Sequence, residues 1–201
     1  MNAPSTNPIA GFVEYAQRLH NVLQTTDWSG VARLAEELHD CWRAGRQVFL
    51  CGNGGSAGNA IHLANDFLYG ISKTRGSGLR VTALPANSSV LTCLANDEGY
   101  DEIFSLQLAV QGRKGDVLIA LSGSGNSPNI LKALEQAKKT GIRTYAILGY
   151  KGGKAKALAD LPIHFAVDDM QISEDLQLVV GHMVMQYLYG RRDEVQPRGA
   201  G

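Results

Sequence analysis

A run of Gly, Asn and Ser at residues 51–56 (CGNGGS) can approach a ligand closely. Glycine lacks a Cβ atom, so the backbone can turn sharply there, and the polar side chains can hydrogen-bond a ligand. The candidate binding residues of this run are Asn53, Gly54, Gly55 and Ser56. A tight turn with no ligand is the alternative. The run also matches the dinucleotide fingerprint G-x-G-x-x-A, but that site needs an acidic residue after the second strand, and residues 84–87 (LPAN) supply none.

A second run, residues 122–127 (SGSGNS), combines hydroxyl groups with backbone N–H groups. Ser122, Ser124 and Ser127 lie around Gly123, and a helix is predicted to follow directly. The free N–H groups at a helix N-terminus favour a negatively charged ligand. The run therefore predicts a phosphate site that needs no Lys or Arg, with a βα turn as the alternative.

Titratable residues occur on two of the predicted helices. His62 and Asp66 are four residues apart, so they project from one helix face and can reach one metal ion or one substrate. His182 lies on the last predicted helix, and Glu174 and Asp175 lie near its start. The alternative interpretation of His182 is a hydrogen-bonded core histidine. The alternative interpretation of Asp66 is an acid on a solvated helix face.

The elements that must position these residues alternate in type. Apolar segments predict five strands at residues 47–51, 79–84, 116–121, 143–148 and 161–167. Helical periodicity predicts helices near 56–69, 88–95, 99–111, 128–140, 152–159 and 173–189. This alternation predicts an α/β fold in which helices cover both faces of a doubly wound parallel sheet. Both Gly-rich runs follow strands, at the edge of the sheet where such folds bind ligands.

The first 45 residues precede this alternation and predict two amphipathic helices separated near Asp27. Their apolar stripes exceed what a small sheet needs, so we expect them to contact other subunits. We divide the chain into residues 1–45 (N-terminal helices used in oligomer assembly), 46–190 (the α/β domain) and 191–201 (a polar tail). Three further histidines fit structural roles, namely His20, His39 and His164.

Composition limits the classes of partner. The 201 residues carry 19 Lys and Arg against 19 Asp and Glu, so no net field favours a nucleic acid or an anionic membrane. The three cysteines form no CxxC motif, which argues against disulfides and thiolate metal sites. Neither a signal sequence nor a membrane-spanning run is recognisable. We expect a cytoplasmic protein with a small ligand, no nucleic-acid partner and no membrane partner.

Several longer motifs resemble one family. They are CGNGGSA at 51–57, LANDEGYDEIFSLQL at 94–108, GDVLIALSGSGNSPNILKAL at 115–134 and YKGGKAKALAD at 150–160, followed by a last helix with a histidine. Over nearly the whole chain they are similar to the phosphoheptose isomerases, which have a sugar isomerase (SIS) domain. The resemblance implies a flavodoxin-like five-stranded parallel sheet and the isomerisation of sedoheptulose 7-phosphate to D-glycero-D-manno-heptose 7-phosphate. It also implies a homotetramer with active sites at subunit contacts and, in many members, bound zinc.

The resemblance implies roles for particular residues. Asp66 and His182 fall on the family's catalytic positions and would transfer protons through an enediol. One zinc ion per subunit would be held by His62, Asp66, Glu174 and His182. The sugar-phosphate site would comprise Asn53, Gly54, Gly55, Ser56, Asn96, Asp97, Ser122, Gly123, Ser124, Ser127 and Glu174.

Three positions depart from the family pattern. Asp66 is one methylene shorter than the family's Glu, Glu174 replaces a residue that is usually Gln, and Gly70 stands where Arg is common. An ideal helix also separates residues eight apart, such as Glu174 and His182, by about 12 Å. Either the first turn of that helix is irregular, or Asp175 reaches the site instead.

Two further alternatives concern function. The chain could be a non-catalytic SIS protein, like the relatives that bind a bacterial replication initiator, or an isomerase of another sugar phosphate. The presence of His62, Asp66 and His182 together favours the enzyme.

Overall fold

A five-stranded parallel sheet forms the centre of the molecule, with strand order β2-β1-β3-β4-β5. The computed structural model describes residues 7–74 and 76–195. The strands are β1 (Gln47–Cys51), β2 (Arg80–Ala83), β3 (Val117–Ser122), β4 (Arg143–Leu148) and β5 (Leu161–His164). This order is that of a flavodoxin-like doubly wound sheet. The predicted fold class is confirmed.

Helices precede, connect and follow the strands. They are α1 (Pro8–Thr25), α2 (Ser29–Arg43), α3 (Gly55–Asn65), α4 (Ser88–Asp97), α5 (Ser105–Gln111), α6 (Pro128–Thr140), α7 (Ala155–Leu158) and α8 (Met170–Gly190). Short 3₁₀ turns occur at Leu84–Ala86, Tyr100–Glu102 and Arg192–Glu194, and a π-helical turn occurs at Asp66–Gly70. The helix predicted near 99–111 is therefore split into a 3₁₀ turn and α5. The last strand ends at residue 164, earlier than predicted.

Side chains of each strand alternate between two cores. Val48 and Leu50 of β1 point to the core beneath α2, α3 and α8, whereas Phe49 and Cys51 point to the core beneath α5 and α6. Alternation with both faces buried is characteristic of parallel sheets covered by helices. The carboxyl ends of β1 and β3 meet the start of α8 at one edge of the sheet, since Glu174 lies against Gly55 and Met170 lies against Gly123.

No residue of α1 is fully buried within the chain, although one side of the helix, including Tyr15, is partly buried against the core. Ile9, Phe12 and Val13 are 70%, 72% and 62% exposed. Two polar contacts connect α1 to the region of α8: the Tyr15 hydroxyl donates to Asp175, and Arg18 Nη1 lies 2.6 Å from Asp169 Oδ2. A large apolar face is thus left on the surface of the subunit.

The ends of the chain are only partly described. Residues 1–6 of the predicted N-terminal region and residues 196–201 of the predicted polar tail lie outside the described residues. Within residues 7–74 and 76–195, no helix is long and apolar enough to cross a membrane.

Candidate active site and metal centre

His62, Asp66 and His182 converge between α3 and α8. The Nε2 atoms of the two histidines are 3.0 Å apart, and Asp66 Oδ2 lies 3.4 Å from His62 Nε2 and 3.5 Å from His182 Nε2. The histidine side chains are 49% and 47% exposed, whereas the Asp66 side chain is 14% exposed. We call these three residues the His–Asp cluster. It presents two accessible imidazoles with a shielded carboxylate behind them.

The close approach of α3 to α8 brings the cluster together. A Cβ atom placed on Gly181 would lie 2.1 Å from Leu63 Cδ2, so the Leu63 side chain of α3 packs directly on the backbone of α8 at Gly181. Nearer the start of both helices, the Asn59 side chain donates to the Glu174 carbonyl oxygen and to Gln177 Oε1, both at 3.0 Å. The helices therefore run side by side in the same direction, with His62 and His182 beside the Leu63–Gly181 contact.

Asp66 is the first residue of the π-helical turn. The Ile71 N–H donates to the Asp66 carbonyl oxygen at 3.0 Å, which is a bond across five residues. Such widened turns occur frequently at functional sites. The turn ends at Gly70, where a Cβ atom would lie 2.7 Å from Met185 Cε. The Gly found where the family commonly has Arg thus provides space for a side chain of α8.

The dimensions of the His–Asp cluster fit a single metal ion. Ligand atoms about 2.0–2.1 Å from a tetrahedral zinc ion are separated from one another by about 3.3 Å, close to the three measured separations of 3.0, 3.4 and 3.5 Å. Imidazole nitrogen and carboxylate oxygen are ordinary zinc ligands. Among the described residues, this is the one group of three or more His, Cys, Asp or Glu whose ligand atoms lie within 4.8 Å of one another.

Glu174 does not belong to this group. Its carboxylate lies on the first turn of α3, where a Cβ atom on Gly55 would be 2.4 Å from both Oε atoms. Asp175 faces the other way, because its carboxylate accepts the Tyr15 hydroxyl of α1. Burial of Tyr15, together with the hydrogen bond to Asp175, raises the pKa of the Tyr15 hydroxyl to about 12. The structure therefore directs Glu174, rather than Asp175, toward the first Gly-rich run.

The first Gly-rich run is held by polar residues that sequence reasoning missed. Asn53 and Asn129 exchange two hydrogen bonds of 2.8 Å through their side-chain amides. The Tyr100 hydroxyl also donates to Asn53 Oδ1 at 3.3 Å, and the Gln177 amide donates to Ser56 Oγ at 2.9 Å. Asn129 is 1% exposed. Asn129 lies four residues before the buried Ala133, so the two residues share the apolar face of α6. A polar residue on that otherwise apolar face was the signal in the sequence.

The serine run, residues 122–127, folds into a loop that leads into α6. Ser122 Oγ accepts the Gly125 N–H at 3.0 Å, and Ser124 Oγ accepts the Asn126 N–H at 3.3 Å. Ser127 is the N-cap residue of α6, but its hydroxyl makes no capping bond. Gly123 is buried, and a Cβ atom there would lie 2.7 Å from Met170 Sδ. The loop places serine hydroxyls at the N-terminus of a 13-residue helix.

Asn96 and Asp97 lie at the end of α4 and are exposed. They contact each other, since Asn96 Nδ2 donates to Asp97 Oδ1 at 2.7 Å. Cys93 Sγ is 3.5 Å from Asp97 Oδ2, and this bond raises the pKa of the Cys93 thiol. No hydrogen bond or ion pair in the described part of the chain joins this pair to the His–Asp cluster. Tyr100, three residues later, provides the link to Asn53.

Comparison with known proteins agrees with the family resemblance seen in the sequence. The SIS domain family model matches residues 11–149. A phosphoheptose isomerase from Chlorobaculum parvum is 39% identical over 176 residues, covering 86% of this chain and 83% of the relative. One from Rhodospirillum rubrum is 44% identical over 154 residues, covering 77% and 81%. The solved phosphoheptose isomerase of Neisseria gonorrhoeae superposes with a TM-score of 0.82 at 28% identity, covering 90% of this chain and 96% of that one. The chain therefore belongs to the phosphoheptose isomerase family of SIS domain proteins.

Proposed function

We propose that this protein is an aldose–ketose isomerase that converts sedoheptulose 7-phosphate to D-glycero-D-manno-heptose 7-phosphate. The observation that carries the proposal is the His–Asp cluster, which brings a carboxylate and two imidazoles together on a fold with two polar loops suited to a sugar phosphate. Membership of the phosphoheptose isomerase family supports the choice of substrate. We further propose that the enzyme acts in the cytoplasm, without a nucleic-acid or membrane partner.

Isomerisation requires one group to move a proton between C1 and C2 and another to exchange protons with the two oxygens. We assign the first role to Asp66, which removes the C1 proton of the ketose while His182 protonates O2 to give the enediol. Asp66 then delivers a proton to C2, and His182 recovers one from O1. His182 faces the cluster through Nε2, so we assign this exchange to its other ring nitrogen, Nδ1, since an imidazole can both donate and accept protons.

The two oxygens of Asp66 have different surroundings. Oδ2 faces both imidazoles, whereas Oδ1 is 3.4 Å from the exposed Asn65 side-chain amide. We therefore propose that Oδ1 takes the substrate proton. With this division of roles, Asp66 would bind a metal through Oδ2 and act as a base through Oδ1.

We propose one zinc ion per subunit, held by His62, Asp66 and His182, and the dimensions of the cluster support this assignment. When bound there, the ion supplies electrostatic stabilisation for negative charge on the substrate oxygens. Glu174 of the same chain lies against Gly55, so its proposed role as a fourth ligand requires another rotamer or another subunit. Metal analysis of protein purified without chelator should find about one ion per chain. Full activity in metal-free protein would refute a catalytic role for the ion.

We also propose that four subunits assemble through the exposed face of α1. The exposed Ile9, Phe12 and Val13 support this, since large apolar groups on one helix favour contact with another surface. Light scattering at micromolar concentration should give about four times the mass of the 21.6 kDa chain. A monomer with intact substrate binding would refute a site shared between subunits.

The test of the function is turnover of sedoheptulose 7-phosphate by purified protein. Asp66→Asn is nearly isosteric but removes the basic oxygen, and His182→Gln keeps a polar group that cannot exchange protons near neutral pH. Each change should lower kcat by at least about a hundredfold. Metal content must be measured in both variants, because lost ligation would also lower the rate. Unchanged turnover in both would favour a non-catalytic SIS protein.

Asp66→Glu, which restores the family residue, is the informative control. Asp66 Oδ2 already lies within 3.5 Å of both imidazoles. The longer side chain should therefore crowd the cluster and lower activity. A gain in activity would show that the shorter acid is a defect.

A further inference from the structure

The loop that follows β4, residues 149–153 (GYKGG), lies directly against residues 122–127, which we call the serine loop. We call residues 149–153 the supporting loop. Gly149 N–H donates to the Gly123 carbonyl at 3.0 Å, and the Gly125 carbonyl accepts the Ala155 N–H at 2.9 Å. A Cβ atom on Gly153 would lie 2.5 Å from the Ser124 carbonyl oxygen. The two backbones are thus in contact without side chains between them, so the position of one loop determines that of the other.

Tyr150 in this supporting loop has a strained backbone. Its φ of 45° makes it the one residue other than glycine with positive φ among the described residues. A side chain with a Cβ atom disfavours this conformation, so surrounding contacts must hold it. The Tyr150 N–H donates to the Val167 carbonyl at 2.9 Å. Its carbonyl oxygen lies 3.0 Å from Nε2 of His164, the last residue of β5.

These contacts determine the tautomer of His164. A carbonyl oxygen can only accept, so Nε2 carries the hydrogen and donates to Tyr150. Nδ1 is then an acceptor, and Lys156 Nζ lies 3.0 Å from it. The same ring also borders the supporting loop, because a Cβ atom on Gly152 would lie 3.2 Å from His164 Cδ2. Lys156 therefore orients the ring, and the ring holds the strained carbonyl.

We propose, on the basis of the function proposed above, that His164 is a positioning residue for phosphate binding. Through Tyr150 it holds the supporting loop, residues 149–153, in the conformation that contacts the serine loop. Among the described residues, no hydrogen bond or ion pair joins His164 to the His–Asp cluster or to the serine hydroxyls, and its side-chain bonds go to Lys156 and Tyr150. Its loss should therefore weaken phosphate binding and leave proton transfer intact.

The test compares His164→Ala with His164→Gln. The alanine variant loses the donor, so KM for sedoheptulose 7-phosphate and the inhibition constant of inorganic phosphate should both rise at least fivefold, with kcat changed less than twofold. The Gln amide can replace Nε2 as a donor and should restore most of the affinity. A lower melting temperature with unchanged phosphate affinity would refute the positioning role.

A double-mutant cycle with Tyr150→Gly separates positioning from general packing. Glycine adopts a φ of 45° without strain, so the fivefold effect of His164→Ala should shrink to less than twofold in this background. An equal effect in both backgrounds would overturn the proposal.

Ser124→Ala combined with Ser127→Ala tests the serine loop itself. If this pair leaves phosphate affinity unchanged, the phosphate site lies elsewhere and the role of His164 falls with it. If the serine pair weakens phosphate binding and His164→Ala does not, the positioning role alone is wrong.

Discussion

The serine loop and the His–Asp cluster are assembled in different ways. Six consecutive residues form the loop, and its internal hydrogen bonds span two or three residues. The cluster joins His62 to His182, which are 120 positions apart. The serine loop therefore depends on local backbone geometry and on its contact with the supporting loop, whereas the His–Asp cluster depends on how closely α3 and α8 pack. A single change in helix packing should disable the cluster and spare the loop.

Gly181→Ala should have the largest effect, because it pushes α3 and α8 apart. The new Cβ atom would lie 2.1 Å from Cδ2 of Leu63, which is 1% exposed and has little room to move. Overpacking of this kind costs about 1–3 kcal/mol. It should also separate His62 from His182, so metal content and kcat should fall together, kcat by about a hundredfold. Thermal unfolding, metal analysis and kinetics measure the three effects.

Gly58→Ala on α3 is the matched control. Apart from neighbouring residues of α3 itself, no atom lies within 4 Å of a Cβ atom at Gly58, so the change should leave the cluster intact and stabilise α3 by about 0.5–1 kcal/mol through helix propensity. If Gly181→Ala retains metal and turnover, the close helix contact is not what forms the cluster.

The same contrast explains what could be predicted from sequence. The alternation of strands and helices, the positions of the two Gly-rich runs after β1 and β3, and the shared helix face of His62 and Asp66 follow from local patterns, and the structure agrees with each. The flavodoxin-like strand order was implied only by the family resemblance. The directions of Glu174 and Asp175 could not be predicted, since neighbouring acids on one turn differ by about 100° around the helix axis. That difference is resolved by distant partners, Gly55 for one and Tyr15 for the other.

Asn129 and the π-helical turn at Asp66–Gly70 were also missed, for related reasons. Asn129 matters only because β1 places Asn53 opposite it. The π-helical turn ends at Gly70, which leaves room for Met185 of α8. Each feature is determined by a partner far away in sequence, which local periodicity does not encode.

Ser127→Ala should have an intermediate effect, confined to binding. The Ser127 hydroxyl makes no capping bond, so its loss should change the free energy of unfolding by less than about 0.5 kcal/mol. A lost hydrogen bond to a charged phosphate costs about 1.5–3 kcal/mol, so KM should rise about tenfold or more while kcat changes little. Steady-state kinetics and chemical denaturation check the two expectations.

Ser122→Ala provides the contrast within the same loop. Ser122 Oγ accepts the Gly125 N–H in a buried position, and its removal leaves that N–H without its partner. This variant should lose about 1–3 kcal/mol of stability. Equal stability losses in the Ser122 and Ser127 variants would contradict the division between a structural and a ligand-facing hydroxyl.

The smallest effect is expected from Asp175→Asn, compared with its neighbour Glu174→Gln. Asp175 accepts the Tyr15 hydroxyl and faces α1, so the change should alter kcat and KM by less than about twofold. Glu174 lies on Gly55 beside the first Gly-rich run, and Glu174→Gln should change KM severalfold.

The pH dependence of Tyr15 gives an independent measurement. Burial is the largest cause of its raised pKa and the bond to Asp175 the next, so Asp175→Asn should lower that pKa from about 12 toward 10.0. Because the folded pKa is the higher one, the stabilisation by Tyr15 is complete below pH 10.0 and is lost as the pH rises toward 12. Absorbance titration against a Tyr15→Phe reference isolates this tyrosine from the others. A large loss of turnover in Asp175→Asn, with Glu174→Gln silent, would instead place Asp175 in the active site.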